Sequence, residues 1–108
     1  MNTMFTDKLT HPTIKQAIEA LQAGDKDKWF PLFTPDVELL DDGRKVNFNS
    51  FFDKALGNER FTSIDNVKDN GLSIYGKFHS DTWGDFYTYF KFYLNAMGKI
   101  SKLEIGQA

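Results

Sequence analysis

The stretch Val37-Glu38-Leu39-Leu40-Asp41 offers the one chemically loaded position in the chain. Strand alternation puts Val37, Leu39 and Asp41 on one face, so a carboxylate follows two apolar side chains toward the interior. Burial near Leu39, Phe86 and Phe90 disfavours the charged form and raises a carboxyl pKa, which is what a general base needs. The bland alternative is that Asp41-Asp42-Gly43 is a solvated turn, for which its composition is equally suited. Trp83 carries an indole N–H that could donate to a substrate. His79 follows Leu72, Ile74 and Phe78 on the opposite alternation and is read as a rim or surface residue, and His11 as the start of a helix. Asn47 and Asn49 fit capping or hairpin roles better than ligand contacts.

Other chemistries lack their residues. There is no cysteine, and the separation of His11 and His79 matches no metal motif. No Ser-His-Asp order, phosphate-cradling glycine loop or Glu-rich metal constellation occurs, so no metal and no cofactor are expected.

Aromatic residues are the second signal. Eleven Phe, four Tyr and two Trp make 16% of the chain, more than so small a domain hides easily, so part of that surface should line a pocket or an interface. Trp29, Phe33, Phe48, Phe52, Trp83, Phe86 and Phe90 are the expected walls of an apolar pocket, although such residues can equally fill a core. Tyr75, Tyr87, Tyr89 and Tyr93 alternate onto the outer face of the sheet, where tyrosine suits a subunit interface and predicts a homodimer. Lys77 and Lys91 share that face and argue the other way, because interface centres are poor in lysine.

The elements that must position these residues can be read in order. After a loose arm over residues 1–10, Thr10 or His11 caps a helix with Pro12 in its first turn, and Ile14, Ala17, Ile18 and Leu21 form its apolar stripe until Gly24 stops it. Asp25 or Asp27 caps a short second helix containing Trp29, Leu32 and Phe33, kinked or partly three-ten at Pro31, and Phe33-Thr34-Pro35 ends it. The strand carrying Asp41 follows. Asp42-Gly43 turns it into a possible return strand over Lys45 to Phe48. Asn49 or Ser50 then caps a third helix through Phe51, Phe52, Ala55 and Leu56, closed by Gly57. From Arg60 the texture becomes strands separated by turn clusters: Arg60 to Lys68, Leu72 to Ser80, Asp85 to Asn95 and Lys99 to Gly106. Short turns make these an antiparallel meander, so the class is α+β with helices on one face of a curved sheet.

At 108 residues the chain predicts one domain, 1–108. A net charge of −2 with no cluster of basic residues argues against nucleic-acid and anionic-membrane partners. The first residues lack the apolar run of a signal peptide and no segment is long enough to span a bilayer, so a cytoplasmic protein is expected.

Ala17-Ile18-Glu19-Ala20-Leu21-Gln22-Ala23-Gly24-Asp25, then Leu32-Phe33-Thr34-Pro35-Asp36-Val37, then Gly98-Lys99-Ile100, resemble in order the nuclear transport factor two-like superfamily, particularly its small SnoaL-like members. The resemblance implies a cone: a strongly curved antiparallel sheet wrapped around the N-terminal helices as a cystatin-like α+β barrel, a pocket at the open end, and usually a homodimer. It says little about activity, since the superfamily holds isomerases, cyclases, hydrolases and non-catalytic members. In the related ketosteroid isomerases the catalytic base is an Asp early in the first strand, and ungapped matching from Leu32-Phe33 puts Asp41 there. Their oxyanion-hole tyrosine falls at Ala17 and their protonated carboxylic acid at Phe90, so a steroid-isomerase reading is rejected.

Three functions follow as expectations. The first is a SnoaL-like domain that binds a small apolar or aromatic molecule in the cone. The second is an isomerase, cyclase or hydrolase-type enzyme using Asp41 as general base. The third is a non-catalytic dimerisation domain with a solid cone.

Overall fold

The computed structural model describes residues 8–108. Most of the expected N-terminal arm, residues 1–7, lies outside the described residues. Of the remainder, Leu9 is buried in the core, and Lys8 Nζ donates to the Ile64 carbonyl at 2.8 Å.

Helix α1 runs Pro12–Ala23. His11 caps it, Nδ1 accepting from the Thr13 N–H, and Gly24 ends it in the left-handed region at φ 67. A side chain at Gly24 would also meet the Gly57 backbone at 2.9 Å, so glycine is required twice over. Ile14, Ala17, Ile18 and Leu21 are all buried, as their spacing predicts. Asp25 caps the four-residue helix α2, Lys26–Trp29, by accepting from the Lys28 N–H. A three-ten turn over Phe30–Leu32 absorbs Pro31.

Two boundaries differ from the sequence reading by more than one residue. Strand β1 begins at Phe33 and runs to Asp41, because Pro35 is tolerated in the extended backbone that was expected only from Val37. After the short β2, Arg44–Val46, helix α3 spans Phe48–Ala55 and its cap is Asn47, which accepts from the Ser50 N–H at 2.8 Å; neither Asn49 nor Ser50 is the cap. Phe48 therefore sits in the first turn of α3, not in the return strand.

The remaining strands are β3 Glu59–Lys68, β4 Ser73–Ser80, β5 Gly84–Leu94 and β6 Ile100–Gln107. They form one sheet in the order β2-β1-β6-β5-β4-β3. The meander β3 to β6 is antiparallel as expected, but β1 lies parallel to β6, with Leu39 opposite Leu103 and Asp41 opposite Ile105. The sheet is therefore mixed and not closed. The turn signals after β2 report only local connections; the pairing of the first strand with the last is long-range and leaves no turn to read.

Bulges bend the ladder. Pairing of β3 with β4 shifts register twice, between Phe61 and Ser63 and between Ile64 and Asn66. There the β3 backbone comes so close to Gly76 that a Cβ would collide with the Ser63 carbonyl oxygen.

The interior divides into two aromatic clusters. Under the helices, Trp29 meets Phe33 and Phe52 at ring separations of 4.7 Å each, and Phe48 meets Phe33 at 4.6 Å. Across the meander, Phe61, Phe78, Phe86, Phe90 and Phe92 form a chain of contacts, Phe61 meeting both Phe78 and Phe90 at 5.1 Å. The aromatic surplus thus has two destinations.

Candidate functional site

A cavity of about 300 Å³ opens at the end of the sheet where β1 finishes and β3 starts. Phe78, Phe86, Phe90 and Ile105 form its apolar wall, Phe51 of α3 borders it, and Trp83 stands at the mouth. Strand alternation explains the wall: Phe86, Thr88 and Phe90 all face inward on β5. Trp83 belongs to the β4–β5 turn and is 78% exposed. A shallower groove continues outward between α3 and that turn, sharing Phe51, Glu59 and Trp83 with the cavity.

Three carboxylates border the cavity: Asp41, Asp42 and Glu59. Asp41 is the last residue of β1, held between Ile105 of β6 and Arg44 of β2. Burial pushes its pKa up and the neighbouring Asp42 adds to this, while the Arg44 guanidinium opposes it. Glu59 opens β3. Burial is also the main cause of its raised pKa; a hydrogen bond from Ser80 Oγ to Oε2 at 3.0 Å works against the rise, and the charges of Asp41 and Asp81 add to it. The charge of Asp41 thus reaches Glu59, the two acids bordering one cavity. Asp42 is committed elsewhere, its Oδ1 accepting from the Gln107 N–H at 3.1 Å.

Of the residues singled out from sequence, Asp41, Trp83, Phe86 and Phe90 come together at this cavity. Trp29, Phe33, Phe48 and Phe52 do not line it and instead pack on one another beneath the helices. Trp29 is fully buried there, its Nε1 without a hydrogen-bond partner among the described residues.

Glu59 was missed, along with Phe51 and Phe78. A signal for Glu59 existed: it lies two residues before the buried Phe61 on the same strand, the same alternation that singles out Asp41.

The outer face carries Tyr75, Tyr87, Tyr89 and Tyr93, of which Tyr87 and Tyr93 are exposed at 51% and 42%. Each ring has a lysine ammonium over it: Lys68 on Tyr75, Lys77 on Tyr87, Lys91 on Tyr89 and Lys102 on Tyr93, at 5.2–5.9 Å. Tyr89 also lies across Gly106, its hydroxyl 2.6 Å from where a Cβ would stand.

His79 is a rim residue bound on both nitrogens, Nδ1 to Asp85 at 2.7 Å and Nε2 to Asp81 at 2.9 Å. Both contacts can be donated at once only by the imidazolium, and the Asp85 and Asp81 hydrogen bonds raise its pKa accordingly. Among the described residues no group of three or more His, Cys, Asp or Glu is placed to hold a metal, and no helix is long and apolar enough to cross a membrane.

Among the described residues, three helices on a six-stranded mixed, open sheet with a cavity at one end define the NTF2-like, cystatin-like α+β fold. Solved structures agree. A putative polyketide cyclase from Sinorhizobium meliloti matches 89% of this chain and 94% of its own, at TM-score 0.72 and 16% identity. An NTF2-like protein from Cytophaga hutchinsonii matches 89% of this chain and 87% of its own, at TM-score 0.70 and 8% identity. The canthaxanthin-binding orange carotenoid protein of Anabaena (Nostoc) sp. PCC 7120 matches 89% of this chain at TM-score 0.70 and 22% identity, and this chain spans 35% of that protein. No protein-family model matches the sequence, and no curated protein matches it.

Proposed function

We propose that this domain binds a small apolar or aromatic molecule in the cavity at the end of the sheet. The observation that carries the reading is the cavity itself: an aromatic wall of Phe78, Phe86 and Phe90 with two carboxyls, Asp41 and Glu59, at its rim. One structural relative binds canthaxanthin and another is described as a putative polyketide cyclase, which supports a small-molecule reading of this fold. N-phenyl-1-naphthylamine, a neutral dye that brightens on leaving water, tests it. Saturable one-site binding that is lost on blocking the mouth with Gln107→Trp supports the reading; no saturable signal overturns it.

A second reading is catalytic, and the raised pKa values of Asp41 and Glu59 favour it. The Asp41 carboxylate would take a proton alpha to a carbonyl, and protonated Glu59 would donate to the enolate oxygen, replacing the donors missing at Ala17 and Phe90. Deuterium uptake alpha to the carbonyl of 2-tetralone in heavy water, above the buffer rate and abolished by Asp41→Asn, would support it. Uptake at the buffer rate would leave binding alone as the function.

We also propose that the domain pairs as a homodimer through the outer face carrying Tyr75, Tyr87, Tyr89 and Tyr93. The exposed area of Tyr87 and Tyr93 supports this, and the lysines over the rings weaken it. Sedimentation at micromolar concentration showing only monomer would rule it out.

A further inference from the structure

We propose that the molecule bound in this cavity carries a positive charge on an apolar body, as a protonated aralkyl amine does. The inference rests on the binding reading above and specifies the chemistry of the ligand. Its basis is the distribution of charge around the cavity.

Asp41, Asp42 and Glu59 border the space, and no Lys, Arg or His among the described residues lines it. Asp81 also acts on Glu59, although its own carboxylate is paired with His79 Nε2 at 2.9 Å. Cationic side chains stand outside the lining. Arg44 acts on Asp41 from across the β1–β2 hairpin and is itself exposed, and Lys54 borders only the outer groove.

The carboxylates also differ in what they already hold. Asp42 accepts the Gln107 N–H and Glu59 Oε2 accepts the Ser80 hydroxyl, whereas the Asp41 carboxylate takes part in no side-chain hydrogen bond among the described residues. Asp41 is thus a half-buried carboxyl bordering an aromatic wall, with no side-chain hydrogen-bond partner among the described residues.

The sign of the ligand follows from what its entry does to these groups. A molecule with no donor would strip water from Asp41 and Glu59 and return nothing, a neutral donor such as an alcohol would return one ordinary hydrogen bond, and an anion would add repulsion. An ammonium group would replace that water with charge-assisted hydrogen bonds and relieve the repulsion between the two acids. The rings of Phe78, Phe86 and Phe90 would receive the apolar body, and their faces favour a cation beside them.

Three probes of one shape separate the possibilities: 2-naphthylmethylamine, 2-naphthalenemethanol and 2-naphthoate, titrated near neutral pH and followed by the amide signals of Asp42, Gly106 and Gln107. The amine is expected to bind about tenfold more tightly than the alcohol, a ratio typical of one hydrogen bond to a charged group, and the carboxylate least. In an Asp41→Asn, Glu59→Gln double variant with a native-like amide spectrum, the advantage of the amine should disappear. Equal or tighter binding of the alcohol, or an amine preference that survives the double substitution, overturns the charge inference while leaving the pocket standing. Failure of all three probes to move cavity signals overturns both.

Discussion

The Ser80 hydroxyl donates to Glu59 Oε2 at 3.0 Å and accepts from the N–H groups of Thr82 and Trp83 at 3.2 and 3.1 Å. One buried hydroxyl thereby ties a cavity acid on β3 to the turn that carries the aromatic residue at the mouth. Ser80→Ala should cost about 1–2 kcal/mol in denaturant unfolding, since one buried side chain serves three hydrogen bonds. It should also raise the Glu59 pKa further, because the bond from Ser80 is what opposes the effect of burial. An unchanged Glu59 titration by NMR would show that this bond is not formed in solution.

Asp41 and Glu59 should make stability fall with rising pH. Their folded-state pKa values are raised, so their contribution is full below the unfolded values and is lost as pH rises through the folded ones. Asp41→Asn and Glu59→Gln should each flatten that part of the profile and leave the protein slightly more stable near neutral pH. Carboxyl titrations giving ordinary or depressed values would return Asp41 to a solvated turn.

The same alternation that made Asp41 legible from sequence made the inward face of β5 legible, because a strand's period of two survives whatever the strand pairs with. Helix caps at His11 and Asn47 show the limit: the right residue types cluster at each helix start, and which one caps depends on where the preceding chain enters. The four aromatics beneath the helices were indistinguishable from cavity walls in the sequence. Both environments select large apolar side chains, and only the placement of α3 over β1 separates Phe48 and Phe52 from Phe51. Glu59 is legible by the same alternation only once β3 is known to start at Glu59, one residue before the Arg60 that the sequence pattern indicates.

Phe90 and Phe92 face the same interior and are equally buried, but only Phe90 borders the cavity. Phe92→Ala should cost about 3–5 kcal/mol, and Phe90→Ala less, since a ring facing open space gives up fewer contacts. Equal losses in denaturant unfolding would mean that the cavity is packed solid in solution.

His79 should titrate above an ordinary histidine, and Asp85→Asn should bring it down more than Asp81→Asn, following the order of the two contributions. Because the folded pKa is raised, the stabilisation is full below the unfolded pKa and is lost as pH rises through the folded one. An imidazole titration unaffected by either substitution would contradict the paired geometry.

Gly76→Ala should destabilise by about 1–3 kcal/mol, because the added methyl must displace the bulged β3 backbone at Ser63. A neutral effect in thermal or denaturant unfolding would mean that β3 and β4 are not bulged together at this point.

The central claim, that the end of the sheet is a small-molecule site, is tested most directly by proton–nitrogen correlation spectra of the protein titrated with 2-naphthylmethylamine. Saturable shifts are expected at Asp42, Glu59, Phe86, Gly106, Gln107 and the Trp83 indole, with Tyr75 and Tyr87 on the outer face unmoved. Shifts confined to the outer tyrosine face, or none that saturate, would contradict it.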